Sequence, residues 1–452
     1  MPDLVVRPQR APLRGVVPVP ADKSITHRAL LFGGLAEGKS LIKADAHGDD
    51  NKSTLAALRA LGVRAEEDEH GVVLVGRGLE GLSEPAAPLD CGNSGTTMRL
   101  LAGILAPQRF RSVLIGDESL SRRPMARVVT PLRQRGARIE GVLHPKRPGD
   151  LTPPLEIGPL PAPHVLSELA YDLPIPSAQV KSALLLSGLW AAGSTAISEP
   201  MVSRDHTERM LSSLGVPILR VGPALELSAA SFSGKLPSFA ANVPGDVSAA
   251  AFLIAAALVV ENSTVGIRRV GQNPTRTGLI DLARMMGGQI AATPQGDDLG
   301  EPFGEIRADF GSLRGIVAGG ETVVRAIDEI PILCALAARA NGTTTIADAA
   351  ELRVKESDRL AAMATVLAAF GVATEERPDG IVVEGRPDGP LRAARVDAFG
   401  DHRIAMSAAV LALVADGESR IVGVDAIATS FPRFAGTLRA LGADVRVVAS
   451  DA

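Results

Sequence analysis

Residues Asp22 to Ala44 read DKSITHRALLFGGLAEGKSLIKA: a polar start, an aliphatic run at helical spacing, a glycine break and a short strand-like segment. Within this stretch, Gly33 to Ser40 (GGLAEGKS) fits the phosphate-loop pattern letter for letter. The order is reversed, however. A phosphate loop follows a strand and opens a helix, so that its amides face the anion, whereas this segment follows a helical run and leads into a strand. The stretch is therefore read as helix, turn and strand, and nucleotide hydrolysis is set aside.

The same succession begins near Asn93, Ser177, Asp246, Asp328 and Asp401, making six occurrences with Asp22. After each strand-like run a second amphipathic stretch closes on a glycine placed as a helix C-cap: Gly62, Gly136, Gly215, Gly287, Gly371 and Gly442. The period predicts an α/β protein of six βαβαββ-like units, three in each of two similar domains. Proline-containing segments at Val19–Asp22 and Val243–Asp246 are the expected crossings. They give a discontinuous first domain of residues 1–20 plus 243–452 and a second domain of residues 21–242.

Composition narrows the function. The 452 residues suffice for two or three domains, and 47 Lys plus Arg against 51 Asp plus Glu leave a net charge of -4, so no broad basic face is expected for nucleic acid. Aromatics at 3% supply no base-stacking platform. Two cysteines, Cys91 and Cys334, cannot build a disulfide framework, and no Cys/His spacing suggests zinc. The longest apolar run, Ala249 to Val260, is shorter than the roughly 20 residues that cross a bilayer, and the first residues lack the apolar core of a secretory signal. The expectation is a soluble cytoplasmic protein with no membrane or nucleic-acid partner.

If the N-termini of the first helices converge on a cleft between the domains, their free amides and dipoles favour anions there. Several starts carry cations (Lys23, Arg28, Arg99, Lys181, Arg403), and further cations cluster at Arg122–Arg123, Arg204, Arg276 and Arg353 to Arg359. At an effective dielectric of 20, each close charge pair is worth about 4 kcal/mol before desolvation. Small ligands carrying phosphate and carboxylate fit this arrangement.

The segments PADKSITHRALLFGGLAEG, CGNSGTTMRLLAG, SRRPM, PIPSAQVKSALLLSGL, SRDHTERML, PGDVSAAAFLIAAAL, LRVKESDRLAAM, FGDHRIAMS and TSFPRF are spread in order over nearly the whole chain. Together they resemble the 5-enolpyruvylshikimate-3-phosphate synthase family, and SAQVK, RDHTE and NPTR are similar to its second class. The resemblance implies the enolpyruvyl transferase fold, two domains of three units with the site in the interdomain cleft. It also implies transfer of the enolpyruvyl group of phosphoenolpyruvate to the 5-hydroxyl of shikimate 3-phosphate with release of phosphate, without metal or organic cofactor, by a monomer. By the family motifs, Lys23, Ser24, Arg28, Ser177, Ala178, Gln179, Arg204, Asp328 and Lys355 would meet shikimate 3-phosphate. Lys23, Gly95, Arg123, Gln179, Arg359 and Arg403 would meet phosphoenolpyruvate, and Asn93 would support its loop. Two departures stand out. Thr429 occupies the place of a lysine found in first-class members, and Gly95 stands where a glyphosate-tolerant member carries alanine.

The reaction needs a group to protonate C3, a group to accept the hydroxyl proton, and cations around the departing phosphate. Glu356 is assigned as the acid that later removes a methyl proton, and Asp328 as the base on the 5-hydroxyl with Lys23 assisting. A purely structural reading pairs Glu356 with Arg359 and makes Asp328 the cap of the helix at Ile330–Pro331. The related transferase acting on UDP-N-acetylglucosamine presents a reactive cysteine in a mobile loop, and the matching stretch here, Gly116 to Arg123, has none. A catalytically silent anion-binding repeat protein is the remaining alternative.

Overall fold

Polar side chains start the helices where the repeat predicts. In the computed structural model, which describes residues 2–44, 48–69 and 71–450, the helices in chain order are α1 (Lys23–Leu35), α2 (Asp49–Ala60), α3 (Gly95–Leu105), α4 (Ala126–Gln134), α5 (Ala178–Gly188), α6 (His206–Ser213), α7 (Val247–Val259), α8 (Gly278–Met285), α9 (Gly320–Arg325), α10 (Ile330–Ala338), α11 (Arg359–Ala369), α12 (His402–Leu413) and α13 (Phe434–Ala440). Asp22 caps α1 by accepting from the Ile25 amide at 2.9 Å, Ser94 caps α3, Asp246 caps α7 at 2.7 Å and Asp401 caps α12 at 2.9 Å. Asp328 does not cap α10. It lies in a one-turn 3-10 helix, Ile327–Glu329, and Pro331 opens the helix instead.

The first helix of each unit is nearly all interior. All thirteen residues of α7 and all twelve of α12 are buried, which a helix rich in alanine allows because its neighbours can approach closely. Where α3 meets α5, a Cβ on Gly103 would lie 2.3 Å from the Ala183 carbonyl, so no side chain fits. The second helices α2, α4, α6, α8, α11 and α13 are each followed by the predicted glycine, and all six glycines have φ between 80 and 104°.

Among the described residues there are six four-stranded sheets of one pattern, a parallel pair extended by two antiparallel strands. In one of them Ala240–Asn242 runs parallel to Glu37–Lys43, which pairs antiparallel with Gly71–Arg77 and through it with Arg64–Asp68. The would-be phosphate loop is thus the α1-to-strand connection. Three sheets are completed from far away in sequence: Ala240–Asn242 joins the sheet of α1, Arg14–Val17 runs parallel to Thr264–Gly271, and Pro2–Val6 lies between Ser419–Val422 and Val445–Ala449.

By contacts the chain forms two compact units, unit 1 (Met1–Pro20, Pro244–Gly296, Pro302–Ala452) and unit 2 (Ala21–Val243, Asp297–Glu301). Each has its own aliphatic core. The boundaries read from sequence differ at two places. Val243 belongs to unit 2, because its amide donates to the Lys43 carbonyl at 2.9 Å and its side chain joins that core. Residues 297–301 also belong to unit 2: Asp298 accepts from the Asn242 amide at 3.1 Å, and Glu301 meets His206 Nδ1 at 2.8 Å in a fully buried pair. No described helix is long and apolar enough to cross a membrane.

Candidate active site

In unit 2, Lys23 is the first residue of α1, and its Nζ lies 3.0 Å from Asp50 Oδ2 near the start of α2. The Asn51 side chain donates to the Lys23 carbonyl at 3.1 Å. A buried hydroxyl chain knits these helix starts together, His27 Nδ1 to Thr54 at 2.7 Å, Thr54 to Thr97 at 2.7 Å and Thr97 to Ser94 at 2.8 Å. Burial pushes His27 down to about 3, so the imidazole is neutral. Sequence reasoning missed Asp50, although two acids in the first turn of a helix were visible.

Arg28 faces inward. Its Nε donates to Thr207 Oγ1 and its Nη2 to Ser182 Oγ, both at 2.7 Å, while Nη1 holds the Ser24 carbonyl at 2.9 Å. Burial brings this guanidinium down to about 10. Lys181, read from sequence as a cation at a helix start, is likewise interior: it is fully buried, 2.8 Å from Glu199 and 2.9 Å from Glu208. Glu199 also accepts from the Ser203 amide and hydroxyl at 3.1 and 2.6 Å, fixing the turn that carries half-buried Arg204.

The starts of α3 and α5 meet around Gly95. A Cβ there would sit 2.6 Å from Arg99 Nη1 and 3.4 Å from Arg123 Nη1, so both guanidinium groups crowd the first turn of α3. Arg99 donates to Gln179 Oε1 at 2.7 Å, and Gln179 donates to Thr96 Oγ1 at 2.8 Å. Arg123 donates to Asn93 Oδ1 at 2.6 Å and to Ser119 at 3.3 Å, and Asn93 is held by Asp117 at 2.7 Å. Gly95, Arg123, Gln179 and Asn93 are therefore together, with Arg99 as a cation that the family motif had not singled out. Ser177 caps α5 through a long bond of 3.5 Å to the Val180 amide, and Ala178 is the first residue of that helix.

In unit 1 the centre is Arg359, whose side chain is 1% exposed. Its Nη2 lies 2.6 Å from Glu356, its Nε 2.8 Å from Asp401 and its Nη1 3.2 Å from Asp328. Burial alone would lower this guanidinium, but the three carboxylates outweigh burial and push it above the ordinary arginine range. Burial is the largest influence on Asp401 and raises it, but the charge and hydrogen bond of Arg359 together with His402 leave it below the usual carboxylate value. Glu356 does pair with Arg359, yet it precedes the helix, which Asp358 caps at 3.1 Å. Lys355 lies 2.8 Å from Glu351 and 3.8 Å from Asp328. Arg403 donates to the Asp328 carbonyl at 2.8 Å. Thr429 donates to the Ala426 carbonyl at 2.7 Å and stands 3.5 Å from His402 Nδ1.

Among the described residues no group of three or more His, Cys, Asp or Glu side chains could hold a metal ion. Cys91 is buried, and burial raises its thiol to about 12, far from the low value a reactive cysteine needs. The sequence profile of EPSP synthase (3-phosphoshikimate 1-carboxyvinyltransferase) matches residues 8–438. The chain belongs to the EPSP synthase family. Among EPSP synthase relatives, the 3-phosphoshikimate 1-carboxyvinyltransferase of Citrifermentans bemidjiense is 47% identical over 438 residues, 97% of this chain and 99% of the relative. That of Brevibacillus brevis is 44% identical over 426 residues, 94% of this chain and 97% of the relative. The solved EPSP synthase from Acinetobacter baumannii superposes with a TM-score of 0.86 at 40% identity, covering 99% of this chain and 100% of that one.

Proposed function

We propose that this chain transfers the enolpyruvyl group of phosphoenolpyruvate to the 5-hydroxyl of shikimate 3-phosphate and releases phosphate. One observation carries the assignment of roles: Asp328, Glu356 and Asp401, from three separate segments, all reach the single buried guanidinium of Arg359. Two carboxylates beside a cation that binds an anionic substrate are what proton transfer at both substrate ends requires.

In this reading the 5-hydroxyl oxygen bonds to C2 of phosphoenolpyruvate as Glu356 gives its proton to C3, and Asp328, assisted by Lys23, takes the hydroxyl proton. The C2–O bond to phosphate then breaks, the departing phosphate takes the proton that Asp328 had accepted, and Glu356 recovers a proton from the methyl carbon, restoring the double bond. Arg123, Arg359 and Arg403, with Lys23, Gln179 and the amide end of α3 at Gly95, meet the carboxylate and phosphate of phosphoenolpyruvate. Lys23, Ser24, Ser177, Ala178, Gln179, Arg204, Asp328 and Lys355 meet shikimate 3-phosphate. Arg28 belongs to that set chiefly by holding the Ser24 carbonyl. The chain is read as a monomer, and sedimentation at assay concentration tests that. The two buried free cysteines fit a reducing cytoplasm.

The test is phosphate release with each substrate omitted in turn. Release that needs both, and is unaffected by ATP, is the expected outcome. Equal release when UDP-N-acetylglucosamine replaces shikimate 3-phosphate would overturn the substrate assignment, and no release with both substrates would leave the silent anion binder.

A further inference from the structure

Glu329 stands next to Asp328 but serves a different arginine. Asp328 turns to Arg359, whereas Glu329, 2% exposed, places Oε1 3.4 Å from Arg403 Nη1. That same nitrogen donates to the Asp328 carbonyl at 2.8 Å. On its other side Glu329 Oε1 accepts from the Ser248 hydroxyl and lies 3.7 Å from Arg276 Nη1. Arg276 is itself buried and anchored to the start of α7, donating to Ser248 Oγ at 2.6 Å and to Asp246 at 3.3 Å.

One buried carboxylate therefore sits between two buried guanidinium groups. Without it, Arg276 and Arg403 would repel each other with little water to screen them. Arg403 has a long side chain with many rotamers, and two of its contacts fix it here: the charge of Glu329 and the carbonyl of Asp328. Both act on Nη1, so the position of the guanidinium is set by the framework at the start of α7 before any ligand arrives.

We propose that Glu329 is a positioning residue for phosphoenolpyruvate, holding Arg403 in the orientation that meets the ligand while Arg276 and Ser248 hold Glu329. This rests on the assignment of Arg403 to phosphoenolpyruvate. Glu329→Gln keeps the shape and removes the charge. In steady-state phosphate release it raises the KM for phosphoenolpyruvate by about tenfold, with kcat and the KM for shikimate 3-phosphate changed by less than about threefold. Glu329→Asp, which keeps the charge, recovers part of the loss. On an Arg403→Ala background, Glu329→Gln adds no further rise, because both changes act through one contact.

An unchanged KM for phosphoenolpyruvate, an equal rise for both substrates, or full additivity with Arg403→Ala would overturn the proposal. If Arg403→Ala alone leaves that KM unchanged, the assignment of Arg403 falls and the proposal falls with it. If Arg403→Ala raises KM and neither Glu329 variant does, the assignment stands and Glu329 is only structural.

Discussion

The arginine at the centre of the unit 1 cluster and its counterpart in unit 2 are held in opposite ways. Arg359 is surrounded by three carboxylates, whereas Arg123 donates to an amide oxygen and a hydroxyl, its Nε is buried without a hydrogen-bond partner, and no carboxylate pairs with it among the described residues. In the proposed reaction the first arrangement meets its ligand already paired with acids and has carboxylates to spare for moving protons. The second keeps its positive charge for an incoming anion, with the amide end of α3 adding to the field. On the proposed roles, only the unit 1 arginine has acids at hand for proton transfer, a difference that a single family motif list hides.

The sharpest way to break the contrast is to remove carboxylates on the unit 1 side. Glu356→Gln and Asp328→Ala are expected to lower kcat by about 10²- to 10⁴-fold, with shikimate 3-phosphate binding within about tenfold of normal. Near-normal turnover in either variant would remove that residue from proton transfer. Next comes a stability comparison. Arg359→Ala leaves three carboxylates facing one another and should cost about 3–5 kcal/mol in denaturant unfolding. Arg123→Ala removes a charge with no acid partner and should change stability by less than about 1 kcal/mol while raising the KM for phosphoenolpyruvate. Equal destabilisation would show that the two arginines are held alike.

Acid should also separate the units. His27 titrates at about 3 when folded because burial excludes its charge, against roughly 6.5 when unfolded. Its contribution is fully present above pH 6.5, falls by about 1.4 kcal/mol per pH unit below that, and levels off once the folded ring protonates. Asp401 in unit 1 has a lowered value, so its contribution is present above the ordinary unfolded value of about 3.9 and is lost as pH falls through the lower folded one. Unit 2 should therefore soften first between pH 6 and 4, measured as amide exchange, and His27→Asn should abolish that slope. The smallest effect is expected of Gly95→Ala. The new Cβ would press on the mobile end of Arg99, giving a few-fold rise in the KM for phosphoenolpyruvate and a stability change within about 1 kcal/mol.

What the sequence made legible was what repeats locally. The capped starts at Asp22, Asp246 and Asp401, the six terminal glycines and the misleading GGLAEGKS turn all follow from residue order within a few turns of helix. Two- and three-residue strands such as Leu89–Asp90 and Ala240–Asn242 carry no period, and nothing local says that the latter pairs with residues two hundred positions earlier. Among site residues, those inside family motifs were visible. Asp50 and Glu329 were not, because each acts through a neighbour, Lys23 or Arg403, that only the folded backbone brings to it. Lys181 misled for the same reason, since its burial depends on Glu199 and Glu208 from later segments.

The remote closure of three sheets also orders synthesis. Unit 2 is almost wholly contained in one uninterrupted run, so once Ala240–Asn242 has left the ribosome its first sheet can complete. Pro2–Val6, by contrast, is made before unit 2 and has no partners until Ser419–Val422 and Val445–Ala449 emerge, a wait of some 20 to 90 seconds at about 5–20 residues per second. During that interval a valine-bearing strand stays unpaired while unit 2 is already complete, an interval in which a chaperone would have something to hold.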